Sequence, residues 1–463
     1  MSVRESETRR SDLLVVGAGP GGLAAAVHAA ERGVRVRVVD ARQAPGGQIW
    51  RGDPGVQAKA PAASWIARAD AAGVEFDFDC EVFDAPDSRS LWGRSREHLV
   101  RYDFERLVVA TGARERFLPF AGWERPKIMG VGALQALCKQ GYEVRGQRVV
   151  VAGTGPLLLA VAADLQARGA RSVKIIEQAP RARVWKLLPR LVRHPGKLGQ
   201  AARFGLKLPP GSIRYGSWVA SACARPDGFE LRLEGRSAGE SLRCDLLACA
   251  FGLVPEIALA RALGCQSRVE GTGEGHSERI VVDEDQRTSV DGVYAVGEVC
   301  GVGGVETALA EGALAGAAIG ADGSPMTKLR VARDKARAFA AALGQSYALD
   351  PRLARLSGEE TILCRCEGVR VSAVTGFEDA RTAKLQTRCG MGPCQGRVCT
   401  PAFEFLTGSQ GRSVPRPPLI PIRLSELARA WSDSTPKGSA ANKMNPVDLA
   451  SAQSAPSPVS NSQ

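Results

Sequence analysis

The chain has 463 residues, 44% of them hydrophobic, with 52 glycines, 12 cysteines and a formal net charge of +12 at pH 7. That length exceeds what one compact core covers and argues for roughly two to four domains with ample buried surface. The cysteines lack the pairing rhythm of a secreted disulfide scaffold, and the positive charge comes without a nucleic-acid motif, so no nucleic-acid partner is expected. No apolar run reaches the ~18 residues of a membrane span, and "MSVRESETRRSDLLVVGAG" holds no apolar stretch of signal-peptide length before the first strand; a cytoplasmic protein is expected.

Residues 13–41, "LLVVGAGPGGLAAAVHAAERGVRVRVVDA", read as an apolar strand, a glycine turn opening with Pro20 into an Ala-rich helix, and a second strand ending in an acid. This is the dinucleotide-binding unit. Gly17 permits the tight turn, Gly19 lets backbone approach a pyrophosphate, and Gly22 lets helix and strand pack closely. The pyrophosphate would sit on the helix N-terminus, and Asp40 is placed to accept hydrogen bonds from the adenosine ribose.

A second copy spans 148–179, "RVVVAGTGPLLLAVAADLQARGARSVKIIEQA", with Gly153 and Gly155 matching Gly17 and Gly19 and Glu177 matching Asp40. Leu158 stands at the third glycine. It is expected to push helix and strand apart or tilt them, so this site is either a degenerate structural Rossmann domain or one for NAD or another adenine nucleotide with a free ribose hydroxyl.

Three further segments, "GGQIWR" (46–51), "LVVATGA" (107–113) and "DGVYAVGE" (291–298), resemble those of the pyridine nucleotide-disulfide oxidoreductase superfamily. The resemblance implies FAD in the first site, with contacts from Gly46, Gly47, Gln48, Thr111, Gly112, Gly297 and Glu298. The acid at 298 would hold the ribityl chain, where aspartate is usual. It also implies a discontinuous FAD domain, 11–120 and 266–325, wrapped around an NAD(P)-like Rossmann domain at 121–265.

The chain departs from that superfamily in two respects. No redox cysteine pair occurs in "GGQIWRGDPG" or "GVGALQALCKQG", so a disulfide reductase is not expected. The four histidines, His28, His98, His194 and His276, fit no metal or catalytic spacing, and no constellation marks a catalytic base. Cys80, Cys138, Cys223, Cys244, Cys249, Cys265 and Cys300 read as buried small apolar residues. The basic stretch 181–214 reads as a solvated face, or as contact with a partner subunit or an anionic membrane surface, the last placing the protein peripherally at the inner face of the cell membrane.

After a helical linker, 326–355, five cysteines crowd into residues 364–399 within a small domain at 356–410; a Pro-rich segment and polar tail follow at 411–463. Thiolates at two separated places suit zinc or an iron–sulfur cluster, and the CxC spacing of Cys364 and Cys366 is too close for a zinc-ribbon knuckle. "CRCEGV" and "TRCGMGPCQGRVC" resemble the bacterioferritin-associated ferredoxin type of [2Fe–2S] domain. That resemblance implies Cys364, Cys366, Cys394 and Cys399 as ligands, with Cys389 as the alternate. "RERFLPFAGW" (114–123) and "GEVCGVGGVETALAEGALAG" (297–316) are similar to the FAD and [2Fe–2S] subunits of heteromeric amine dehydrogenases: the FAD/iron–sulfur subunits of hydrogen cyanide synthase and opine oxidase, and the alpha subunits of proline or hydroxyproline dehydrogenases.

The expected fold is therefore α/β: two Rossmann-like domains and a small C-terminal iron–sulfur domain. The expected function is electron transfer within an amino-acid, imino-acid or opine dehydrogenase. Its partners would be a second FAD-containing subunit that removes the hydride, a small third subunit, and a quinone or cytochrome acceptor. Two rivals are a stand-alone NADH-dependent reductase and a non-catalytic scaffold subunit.

Overall fold

The computed structural model describes residues 6–50, 61–96, 98–192, 194–270, 277–320, 326–409 and 415–434. The chain divides into a unit reaching Pro421 and a second one from Ile422, whose described part, 422–434, consists mainly of the helix Leu424–Ser434. His276 and most of the polar tail lie outside the described residues.

The first strand, Glu7–Val16, pairs in parallel with Val36–Val39 on one side and with Leu99–Val109 on the other. Glu75–Asp77 and Val293–Ala295 complete the parallel part of this sheet. Leu13, Leu14 and Val15 are fully buried, as expected for a parallel strand covered on both faces. A second parallel sheet runs Ile213–Tyr215, Ser172–Glu177, Arg148–Thr154, Leu246–Phe251, Ile128–Gly130. The chain passes between the two domains along an antiparallel pair, Ala113–Glu115 with Leu253–Pro255. The α/β reading, one Rossmann-type domain interrupted by another, is borne out.

The two separated parts of the first domain meet along a helix seam. Helix Pro20–Ala30 lies so close to helix Val305–Ile319 that a Cβ on Gly312 would stand 2.2 Å from the Gly21 carbonyl oxygen, and one on Gly316 2.4 Å from that of Ala25. A four-residue repeat of small side chains, Ala308, Gly312 and Gly316, makes that approach possible.

Residues 326–355 do more than link. Helix Thr327–Ser346 buries Phe339 and Arg333, and residues 347–350 lie across the second Rossmann domain. The cysteine region has its own apolar cluster of Leu363, Val369, Val374, Ala402 and Phe403, yet belongs to the same compact unit as both Rossmann domains. Of the Pro-rich segment, Leu419 is buried and its N–H donates to the Phe83 carbonyl. One expectation fails: Cys223 is exposed, while the other six scattered cysteines are buried. Strand Ser217–Arg225 turns Ala222 inward, so the next residue along the pleat faces out.

Candidate functional site

The first glycine turn sits where Val16, Val39 and Val109 end side by side. Gly17 has φ +109°, and a Cβ there would lie 2.3 Å from the Ala110 carbonyl oxygen. A Cβ on Gly22 would lie 1.9 Å from the Gly17 carbonyl oxygen, so this glycine closes the helix onto the turn. Gly19 caps the helix without a side-chain hydrogen bond, and the first turn carries no acid. The leading N–H groups are thus left without a side-chain cap and the helix dipole without an acid in its first turn, an arrangement that fits a diphosphate.

Around this turn the other expected contacts gather. The Gly46 N–H donates to the Ala18 carbonyl at 2.8 Å, and the two glycines bring the loop within touching distance of Gly19: a Cβ on Gly47 would be 2.8 Å from the Gly19 Cα. Gln48 follows on the exposed side. Asp40 accepts the N–H groups of Ala18 (2.7 Å) and Arg42 (2.9 Å), holding the turn against the end of the second strand while remaining half-exposed. The Thr111 hydroxyl donates to the Glu256 carbonyl, whose own N–H donates to the Gly112 carbonyl.

On the far segment the Gly297 N–H donates to Glu311, a buried carboxylate that also pairs with Arg337 at 2.7 Å. Burial raises the pKa of Glu311 and Arg337 opposes that shift. Arg337 continues to the Gln286 side chain, which donates to the Ala295 carbonyl. This network fixes the Gly297 turn, and sequence reading missed it; the signal was a lone acid inside the Ala/Gly-rich run "ALAEGALAG". Glu298 turns back to accept the N–H groups of Gly303 (3.2 Å) and Gly304 (2.7 Å), and burial raises its pKa to about 7.

The second turn repeats the geometry with a different outcome. Gly153 and Gly155 have φ +128° and +101°, and the strands keep parallel register at Gly153 and Glu177. Leu158 is 1% exposed, packed in the core between helix and sheet. Glu177 is 3% exposed and accepts from the Gly155 N–H, the Ala179 N–H and the Thr154 hydroxyl; burial raises its pKa to about 7. Over it lies the chain's own segment. Thr154 donates to the Tyr347 carbonyl, Gln178 and Arg183 both donate to that of Ala348, and the Asp350 N–H donates to Gln178.

The five clustered thiols fall into two groups. The sulfurs of Cys364, Cys389 and Cys399 lie within 4.8 Å of one another, all buried; those of Cys366 and Cys394 are 3.8 Å apart and more open. Burial is the main cause raising the Cys364 thiol, which accepts backbone N–H groups from Gly390 and Glu367; a hydrogen bond with Cys389, then burial, raises Cys399. A metal among them would reverse these shifts, because its charge favours thiolate. Soft donors and N–H groups aimed at sulfur fit a metal–sulfur group, and residue 392 has to be glycine because a Cβ there would come within 2.3 Å of that of Cys366.

This cluster is tied to the flavin-side segment. Arg114 pairs with Glu256 at 2.5 Å and donates to the Arg397 carbonyl, in the loop between Cys394 and Cys399, while Glu256 holds Thr111 and Gly112. Trp123 donates to the Ile362 carbonyl beside Cys364, and Ser357 donates to that of Pro119. The motif "RERFLPFAGW" is thus the platform on which the cysteine region sits. His28 stands against Trp65, His98 against Ser95 and Glu7, and His194 against Phe339. Each has a structural neighbour.

A glycine cradle of this design, in a Rossmann domain interrupted by a second one, defines a two-domain flavoprotein oxidoreductase. Residues 11–194 and 213–315 match the pyridine nucleotide-disulphide oxidoreductase family, and the chain belongs to it. It is 34% identical over 459 residues to the A-type subunit of opine oxidase from Rhizobium meliloti (strain 1021), covering 90% of this chain and 98% of that one. It is 28% identical to the HcnB subunit of hydrogen cyanide synthase from Pseudomonas protegens, over 89% of this chain and 96% of that one. Its fold matches the L-proline dehydrogenase of P. horikoshii with a TM-score of 0.62 over 92% of this chain and 80% of that one, at 18% identity. The chain is an FAD-dependent oxidoreductase, and the resemblance to opine oxidase and hydrogen cyanide synthase subunits read from its motifs is borne out. Among the described residues no helix is long and apolar enough to cross a membrane.

Proposed function

We propose that this chain is the electron-transfer subunit of a heteromeric dehydrogenase acting on an amino acid, imino acid or opine. Gly17, Gly19, Gly22, Asp40 and the loop of Gly46 and Gly47 hold FAD, and Cys364, Cys366, Cys394 and Cys399 hold a [2Fe–2S] cluster. When bound, FAD would accept electrons in pairs and the cluster would pass them on singly. The chain's own residues set the path. Glu311 and Arg337 fix the Gly297 turn, and Glu256 and Arg114 couple the flavin-side segment to the cysteine loop.

The observation that carries this reading is that coupling: Thr111, Glu256, Arg114 and Arg397 form one continuous chain of contacts from the flavin segment into the thiol cluster. A structural metal module would need no such join. The absence of a recognised base fits a division of labour in which another subunit removes the hydride, as the names of the relatives, each that of one component of a larger oxidase or synthase, also suggest.

Cys364→Ser, Cys366→Ser, Cys394→Ser and Cys399→Ser should each lose the iron, the acid-labile sulfide and the paramagnetic signal of the dithionite-reduced protein, with FAD content unchanged. Cys389→Ser should keep them, although its sulfur lies in the buried group of three. Loss of iron in Cys389→Ser with retention in Cys399→Ser would replace one ligand by the other. Steady amine turnover that survives loss of the cluster would sink the relay itself.

A further inference from the structure

We infer that the excursion 181–207 is the docking surface for the amine-oxidising subunit, which meets it with an apolar face rimmed by acids. The inference rests on the heteromeric reading above and names where the second subunit sits. Much of this excursion is an addition to the common fold: the family match stops at 194 and resumes at 213, leaving helix Pro195–Gly205 and the turn after it outside.

The excursion forms three successive helices, Arg181–Trp185, Leu188–Val192 and Pro195–Gly205, none of which buries a residue. Short helices owe their stability to a packed face, and here the contacts with the chain itself, such as His194 and Lys197 against Phe339, leave none of the three with a buried residue. Large apolar side chains are left in the open: Trp185 is 54% exposed, Val192 61% and Leu206 87%. The sequence of 181–207 carries eight Lys and Arg and no Asp or Glu. Some of these cations are engaged internally, Arg181 over the Trp185 ring and Arg183 on the Ala348 carbonyl. The remaining excess calls for negative charge from outside.

Position selects a protein as the occupant. Lys197 pairs with Glu306 at 3.2 Å, at the start of the helix that follows the turn at 298–304. A body seated on the excursion therefore borders the flavin-side loops, where a subunit delivering electrons has to be. Exposed Trp and Arg are also the residues on which protein interfaces concentrate their binding energy. An anionic bilayer would offer the complementary charge, but a helix lying in a membrane interface presents one continuous apolar stripe. Here Pro189, Pro195, Gly196 and Gly199 break the excursion into short pieces.

The test uses the complex isolated from its own cells through a tag on this chain. The pair Trp185→Glu and Leu206→Glu, and separately Val192→Glu, should lower the amount of second flavoprotein recovered per chain by about tenfold, the scale expected from losing one interface anchor. FAD, iron and thermal unfolding of the chain should not change. Trp185→Phe should retain the partner. Recovery of the second flavoprotein at wild-type stoichiometry in the Glu variants would overturn the docking surface while leaving the heteromeric reading intact. A wild-type chain that isolates without any second flavoprotein would overturn both. If the wild type floats with phosphatidylglycerol-containing vesicles, and the Glu variants neither float nor lose the partner, the occupant is the bilayer and the inference is wrong.

Discussion

The two glycine-rich turns have nearly the same backbone and opposite surroundings. In the first, the helix N-terminus has no side-chain cap, the acid at the end of the second strand is half-exposed, and two further segments converge on the turn with small residues. In the second, the acid is sealed, its oxygens are taken by three donors, and residues 347–350 cover it. A Rossmann turn is thus a scaffold first. Whether it holds a dinucleotide depends on what the rest of the chain brings to the strand ends.

The broadest effect, on both fold and flavin, should come from Gly22→Val. Its Cβ collides with the Gly17 carbonyl, so helix and strand must separate, destabilising the apoprotein itself by about 3 kcal/mol as well as emptying the FAD site. Gly19→Val makes the contrast: its Cβ would meet nothing closer than the Gly47 Cα at 3.8 Å. Flavin should be lost with an unfolding free energy within about 0.5 kcal/mol of wild type. Full flavin occupancy in Gly19→Val would place the diphosphate elsewhere.

Leu158→Ala asks whether the second turn is scaffold. Removing a side chain buried between helix and sheet should cost about 2–5 kcal/mol, read by denaturant unfolding. It should not create rapid flavin reduction by NADH, because residues 347–350 still cover Glu177. Fast NADH reduction in wild type or variant would restore the reductase rival.

The smallest effect is a slope. Burial raises the pKa of Glu177 from its ordinary 4.5 to about 7, so between these values the folded state holds a proton that the unfolded state has released. Stability therefore falls as pH rises through that window, by up to about 1.4 kcal/mol per pH unit for this group. Glu177→Gln should remove one such contribution, leaving those of Glu298 and Glu311, and unfolding midpoints from pH 4.5 to 7 for the two proteins would reveal it. Parallel profiles would mean Glu177 titrates normally and is less sealed than its contacts imply.

The first turn was legible because its determinants are local: strand, turn, helix and acid lie within residues 13–41. The state of the second was not. Its occupant comes from some 170 residues further along, brought in by Gln178 and Thr154, and no periodicity in "QSYALD" announces a lid. Leu158 pointed the right way but reported only on packing. The thiols were legible as a cluster, since soft ligands at close spacing have few other uses. Their partition was not, because loop geometry places Cys389 beside Cys364 and Cys399 and leaves Cys366 with Cys394. Cys223 was misread because a residue's type does not say which side of a pleat it takes.

The seam between Pro20–Ala30 and Val305–Ile319 also sets a timetable. The opening strand and helix of the chain wait for a partner helix nearly 300 residues downstream, which at ribosomal speeds is roughly 15 to 60 seconds of synthesis. In that interval the inserted domain, all of whose sheet strands have been made by Phe251, is free to fold alone, while the first glycine turn lacks the helix that braces it. If flavin joins at the first glycine turn as proposed, it should do so only after this seam has closed, so a chain ending in the 260–300 region should hold a folded inner domain and stay colourless.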